Sequence, residues 1–171
     1  MDFHAILLSA QSTIVEKATQ SLKNIFGDSI LITQTNLLLT EDDRQKIIDR
    51  LKGQAATESV SVYCCKMNDK TVGYGFVDNV KGKTQLITYL VALQPDGTME
   101  DVDVLAYREA YGGEIANDSF RRQFRQKTID DKLRPGNDIK NISGATISVR
   151  AITHGVKKVL TIFDVMKSRL Q

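Results

Sequence analysis

Apolar residues follow two different periods along this 171-residue chain, and the switch between them outlines the architecture. Ile14, Val15, Ala18, Leu22, Ile25 and Phe26 recur at helical spacing, and Gly27 supplies a stop. Thr40 followed by Glu41, Asp42 and Asp43 predicts a capped helix start, with acid at the positive end of the helix dipole. Ile47, Ile48 and Leu51 give that helix one apolar face, and Gly53 ends it. Between Ser59 and Tyr107 the pattern becomes that of strands, over Ser59 to Met67, Thr71 to Val80, Gln85 to Gln94 and Met99 to Tyr107. Asn68-Asp69-Lys70, Lys81-Gly82-Lys83 and Pro95-Asp96-Gly97 form the turns between them. Helical spacing returns in a short segment around Asp118 to Gln126. After a break at Arg134-Pro135-Gly136-Asn137 it returns again in a long one from about Ser148 to Arg169.

This order predicts an α+β fold, a central antiparallel meander flanked by helices. In the last helix Ala151, Ile152, Val156, Val159, Leu160, Phe163 and Met166 make one apolar stripe, so it is expected to pack along the sheet. The chain has no repeat or linker-like tract and reads as one globular domain: an N-terminal helical segment over 1–58 packing on a core over 59–171.

Composition narrows the function classes. With 42% hydrophobic and 26% charged residues and a net charge of +2, no global field favours nucleic acid, and the absence of Trp removes the best base-stacking side chain. Nucleic acid is therefore not an expected partner. Cys64 and Cys65 are neighbours in a strand and point to opposite faces, so one buried and one more exposed thiol are expected rather than a disulfide. Without companion His or Cys residues they do not make a metal site. No stretch approaches the roughly 18 apolar residues of a membrane span. The opening residues Met1 to Ala10 lack the positive charge of an export signal.

Candidate chemistry gathers at Ser143-Gly144-Ala145-Thr146-Ile147-Ser148, immediately before the long helix. Gly144 and Ala145 leave the backbone bare, Thr146 offers a hydroxyl, and Ser148 is read as the helix N-cap. Such a start is either a plain capped helix or a phosphate site, because the first N–H groups of a helix attract anions. It is not a P-loop, since the lysine and the spacing are missing. Nor is it a serine-hydrolase elbow, because neither His4 nor His154 has the required context.

The motif Ser143-Gly144-Ala145-Thr146, followed by Ile147-Ser148 and an amphipathic helix, resembles the attachment motif of the FMN-binding domain family. That family includes the peripheral flavin subunits of the sodium-pumping quinone reductase and of the Rnf-type electron transport complex. The segment Val102 to Ile115 is similar to the family's stretch after its central hairpin, in an Arg-Glu-x-x-Gly-x-Glu-Ile form, with Glu109 and Gly112 at matching positions. Phe120, Gln123 and Phe124 extend the likeness, which runs from about Val60 to Leu160. One position departs: where the family commonly has an acid three residues before the Ser/Thr, this chain has Lys140, with Asp138 two residues earlier.

The resemblance implies FMN joined by a phosphoester to Thr146, transferred from FAD by a flavin transferase, in a carrier that exchanges electrons with a redox partner beside a membrane. It implies an extracytoplasmic or membrane-associated place. The implied cofactor-binding residues are Thr146, Ser143, Gly144, Ala145, Ile147, Ser148, Glu109, Gly112, Gly113 and Glu114, with no catalytic residue and no metal. On the residues alone, Gly112-Gly113 also reads as a tight turn, Glu109 and Glu114 as solvated charges, and Tyr107 and Tyr111 as packing. Arg121, Arg122 and Arg125 are a solvated face or a docking patch for an acidic partner. Two other functions suit the same turn: a small reductase holding FMN noncovalently, and a flavin-free interaction module on this fold.

Overall fold

The computed structural model describes residues 3–52 and 58–170, with side chains from residue 11 onward. The expected helix stop at Gly53, and His4's side chain, lie outside the described residues. Helix α1 (Phe3–Phe26) leads to strand β1 (Leu31–Leu38) and helix α2 (Glu41–Arg50). Strands β2 (Ser59–Met67), β3 (Lys70–Lys81), β4 (Leu86–Leu93) and β5 (Met99–Ala106) follow, then a 3-10 turn over Gly113–Ala116, α3 (Asp118–Arg121) and α4 (Thr146–Leu170). All neighbouring strands pair antiparallel in the order β1-β2-β3-β4-β5. The predicted α+β meander and the long C-terminal helix packed on it are both present.

Two elements differ from expectation. The segment before Ser59 is not helical throughout: Leu31–Leu38 pairs along its whole length with β2 and forms the sheet edge. Its four central residues, Thr33 to Asn36, are polar and exposed, so it lacks the alternation that marks a half-buried strand. Backbone pairing defines it instead. The predicted helix over 118–126 stops at Arg121, because the chain then hooks back onto the sheet. Gln126 N–H donates to Met99 O and Met99 N–H to Lys127 O, each at 2.8 Å, and Gln126 takes a positive φ of 64°.

Helices cover both faces of the sheet, which explains why β4 is buried from Ile87 to Leu93 rather than alternating. On one face α1 sets Ala18 and Leu22 against Tyr63, Cys65, Leu90 and Ala92. It lies close because β3 carries Gly75 there: a Cβ on Gly75 would meet a Leu22 methyl at 2.8 Å. On the other face α4 places Ile152, Val156, Val159 and Phe163 over Phe76, Tyr89, Val91 and Val102. Cys65 and Cys64 divide between these two faces, as strand geometry requires, and burial pushes the Cys65 thiol up to about 12.

A polar contact fixes how α4 is rotated. Tyr89 passes under Gly155, where a Cβ would stand 2.3 Å from the phenol oxygen. The phenol donates to Asp78 Oδ2 at 2.7 Å, and Lys158 of α4 pairs with the same carboxylate. Both groups are mostly buried, so rotating α4 would strand a charge in the interior. The helix that carries Thr146 is thereby held at a set angle to the core.

Candidate functional site

Helix α4 begins two residues earlier than the sequence indicates, with Thr146 as its first residue. The first helical hydrogen bond of α4 runs from Val149 N–H to Ala145 O, 2.9 Å. The N–H groups of Thr146, Ile147 and Ser148 therefore precede the ladder and have no partner within the helix. Gly144 enters this turn with φ +81°, and nothing lies within 4 Å of where its Cβ would be. Thr146 is exposed and its hydroxyl has no hydrogen-bond partner among the described residues.

Ser148 is not the N-cap. It sits inside the first turn, 5% exposed, with its hydroxyl 2.9 Å from the phenol oxygen of Tyr107. Tyr107 has one proton and donates it to Tyr111 O, so Ser148 is the donor in the second contact. Starting the helix at Thr146 is what directs Ser148 inward. One tyrosine thus ties the end of β5, the following loop and the start of α4 together.

Gly112 completes the junction. Its φ is +89°, and a Cβ there would stand 2.7 Å from the Tyr107 oxygen, 3.2 Å from Ala145 Cβ and 3.3 Å from Ser148 Oγ. The glycine therefore lets the 107–113 loop and the turn before α4 touch. Gly113 is exposed and has no such steric demand.

Glu109 is neither a free solvated charge nor aimed at the Thr146 turn. Its carboxylate accepts from Gln85 N–H at 3.0 Å and from Thr84 N–H and Oγ1–H at 2.7 and 2.8 Å. Those three donors, the two backbone N–H groups foremost, hold its carboxyl at about 2, well below the usual range. It pins the β3–β4 turn beside the cleft. Glu114 is exposed on the 3-10 turn and makes no ion pair among the described residues.

These segments enclose two adjoining clefts. The larger, about 710 Å³, is lined by Lys83, Thr84, Arg108, Tyr111 and the run Gly144 to Ser148, among others. The smaller, about 450 Å³, lies between Gly112–Glu114 and Ser143–Gly144. The structure thus brings together both sequence segments carrying the predicted residues. Sequence reading missed the lining residues Lys83, Thr84 and Gln85, which reach the site only because β3 and β4 pair and carry their turn to it, while Arg108 stands in the Arg-Glu-x-x-Gly-x-Glu-Ile segment but was given no role there. Among the described residues, no group of His, Cys, Asp and Glu could hold a metal ion.

Two other candidates are reassigned. Arg121 and Arg125 are not a solvated patch, because they pair with Asp101, Asp103 and Asp118. Asp138 is occupied by Arg134, whose side chain and backbone N–H hold the carboxyl at about 2. It is not available to substitute for the acid missing at Lys140. Lys140 is exposed, and its backbone N–H donates to Gln123 Oε1 at 2.8 Å.

Residues 82–161, which contain the cleft, α4's first turns and the 107–113 loop, match the model of the FMN-binding domain. Over that span this chain is similar to the FMN-binding domain family. A component of the proton-translocating ferredoxin:NAD(+) oxidoreductase complex of Clostridium ljungdahlii is 36% identical over 104 residues, 56% of each chain. A component of the Na(+)-translocating ferredoxin:NAD(+) oxidoreductase complex of Acetobacterium woodii is 27% identical over 135 residues, covering 71% of this chain and 64% of that one. The matched part is thus less than two thirds of these relatives' length.

Among solved structures, NqrC of Shewanella oneidensis superposes with a TM-score of 0.60 at 18% identity, covering 95% of this chain and 96% of that one. A component of the Na(+)-translocating NADH-quinone reductase of Parabacteroides distasonis gives 0.62 at 10% identity, with 98% of both chains covered. At such identities these two show only that this chain shares their fold. Among the described residues no helix is long and apolar enough to cross a membrane.

The residues present fit FMN. Free helix N–H groups, Lys83 and Arg108 form a donor set suited to a phosphate. The open side of Gly144 leaves room for it. Tyr111, Ala110 and Ile147 give the same cleft an aromatic and apolar wall for a planar ring.

Proposed function

We propose that this protein is a flavin carrier, with FMN joined through its phosphate to Thr146 Oγ, and that electron transfer is its role. The observation that carries the reading is the place of Thr146. It is an exposed hydroxyl on the first residue of α4, beside free N–H groups and in a cleft lined by two cations that pair with no carboxylate among the described residues. Ser143, Gly144 and Ala145 form the bare turn that lets the phosphate approach. Ile147 and Ser148 contribute helix-start N–H groups, and Gly112 and Gly113 keep the facing loop close. Glu109 keeps the β3–β4 turn, and with it Lys83, at the cleft wall. When bound, the flavin supplies reversible one- and two-electron chemistry. Attachment from FAD by a flavin transferase forms the Oγ–P bond and releases AMP.

The Clostridium ljungdahlii and Acetobacterium woodii relatives are named as parts of ferredoxin:NAD(+) oxidoreductase complexes. We carry this over as a role within a membrane-associated redox complex, with its other components as electron partners. The test is expression with a flavin transferase and FAD, followed by denaturation and desalting. Flavin absorbance that stays with the polypeptide supports the tether. Flavin that washes away points instead to noncovalent binding at the same helix start, and a colourless protein to a flavin-free module.

A further inference from the structure

The two edges of the sheet are finished differently. Along β5 the ladder to β4 shifts register twice, and Glu100, Asp101 and Asp103 put charge on the strand. The chain also returns to bond both backbone groups of Met99, and Lys17 Nζ donates to Leu105 O at 3.1 Å. Such devices keep a strand edge from pairing with another chain. Strand β1 lacks them: from Leu31 to Leu38 it holds no charge and no proline, and it pairs with β2 without a register shift. Its end residues, Leu31 and Leu38, are 67% and 75% exposed.

The outward backbone groups of β1 follow from its pairing. Leu39 N–H donates to Glu58 O at 2.9 Å, and these two continue the register after Leu38 and Ser59. In an antiparallel ladder alternate residues bond the same neighbour, so Leu37, Thr35, Thr33 and Leu31 bond β2. Ile32, Gln34, Asn36 and Leu38 therefore turn their N–H and C=O groups to the open side. Among the described residues, only Leu38 O of these groups has a partner, an Arg169 nitrogen at 3.5 Å.

The order of side chains matches itself about Thr35. A two-fold axis through Thr35 sets Ile32 opposite Leu38 of a second copy, Gln34 opposite Asn36, and Thr35 opposite its own image. Apolar side chains then meet at both ends of the face that α1 covers, and amides meet at its middle. A centre on Gln34 would instead set Ile32 against Asn36, and one on Asn36 would set Gln34 against Leu38.

We propose that β1 is a homodimer contact: it docks β1 of a second copy, antiparallel about Thr35, and continues the sheet across both molecules. No ionisable group on the strand opposes its own image, and the net charge of +2 per copy is small. An edge of 8 residues buries less than the roughly 1,200 Å² of a standard interface, so a Kd on the order of 100 µM is expected. No residue lining the two clefts at the start of α4 lies on β1, so pairing leaves both open and is independent of the flavin reading.

Sedimentation equilibrium between about 10 µM and about 1 mM reads the association. The mass is expected to climb from that of the monomer toward that of the dimer. Thr35→Lys sets two ammonium groups face to face at the axis, and is expected to stay monomeric with an unchanged unfolding curve, since Thr35 is exposed. Asn36→Pro removes one outward N–H, leaves the bonds to β2 in place, and should weaken the dimer about tenfold. Register is read by disulfide formation in a Cys64→Ser background. Thr35→Cys is expected to crosslink to its image on mild oxidation, because directly opposed residues of this type stand about 4.5 Å apart at Cα. Thr33→Cys is expected not to, because its image lies about 13 Å away along the strand. A monomer's mass across the whole range, a dimer undiminished in both Thr35→Lys and Asn36→Pro, or equal crosslinking at the two positions would overturn the proposal.

Discussion

The cleft beneath α1 and the cleft at the start of α4 are both lined by arginine, yet their charges are arranged in opposite ways. In the first, about 420 Å³, Arg121 and Arg125 face Asp101 and Asp103, and Ser21 of α1 donates to Asp103 Oδ2 at 2.7 Å. Every strong charge there has a partner inside the protein, so the cluster clips α1 and α3 to β5. In the second, Lys83 and Arg108 pair with no carboxylate among the described residues, and the first N–H groups of α4 have no partner within the helix. The first arrangement stabilises the fold; the second is prepared to receive something. A count of basic residues along the sequence does not separate these cases, because pairing is decided by which strand runs alongside.

The sharpest way to break this contrast is to remove one cation from each cleft. Arg121→Ala leaves Asp103 with only the Ser21 hydroxyl, and Asp101 with only Arg125, as side-chain partner, and is expected to cost about 1–2 kcal/mol in urea unfolding. Lys83→Ala should stay within about 0.5 kcal/mol while weakening flavin loading. Equal costs would mean that the two clefts do not differ in kind.

Glycines sharpen the same comparison within the α4 site. Gly112→Ala brings a Cβ to 2.7 Å from the Tyr107 oxygen at a positive φ. A loss of about 2 kcal/mol is expected, together with loss of flavin. Gly144→Ala meets no neighbour, so only the backbone penalty of about 1 kcal/mol remains. Tyr107→Phe removes the bonds to Tyr111 and Ser148 and should cost about 1 kcal/mol, read by the same unfolding curves.

The smallest effect concerns Glu109. Its folded carboxyl lies at about 2 against an ordinary 4.5, so the stability it contributes is present above pH 4.5 and is lost as pH falls through about 2. NMR titration should place its midpoint near the lower value, and Glu109→Gln should flatten this part of the acid-stability curve. A midpoint near 4.5 would show that the clamp on the β3–β4 turn is not formed in solution.

How much was legible in the sequence depended on which force shaped each part. Elements built by burial left their period in the chain: four strands, the face of α1 and the stripe of α4 all follow it. Strand β1 did not, because the polar run Thr33 to Asn36 is held by backbone pairing with β2. The site divides in the same way. Thr146, Gly144 and Gly112 carried local signals and a family likeness, and the structure brings them to one cleft. Ser148 was misread as a cap because its inward turn toward Tyr107 depends on contact across 41 residues. Lys83, Thr84 and the clamp by Glu109 were invisible for the same reason.

The central claim is that Thr146 carries the flavin, and intact-mass spectrometry of denatured protein tests it most directly. Co-expressed with a flavin transferase, the protein should gain the mass of FMN less one water, and Thr146→Ala should gain nothing while remaining folded. An unmodified mass with Thr146 intact, or the same gain on Thr146→Ala, would contradict the account.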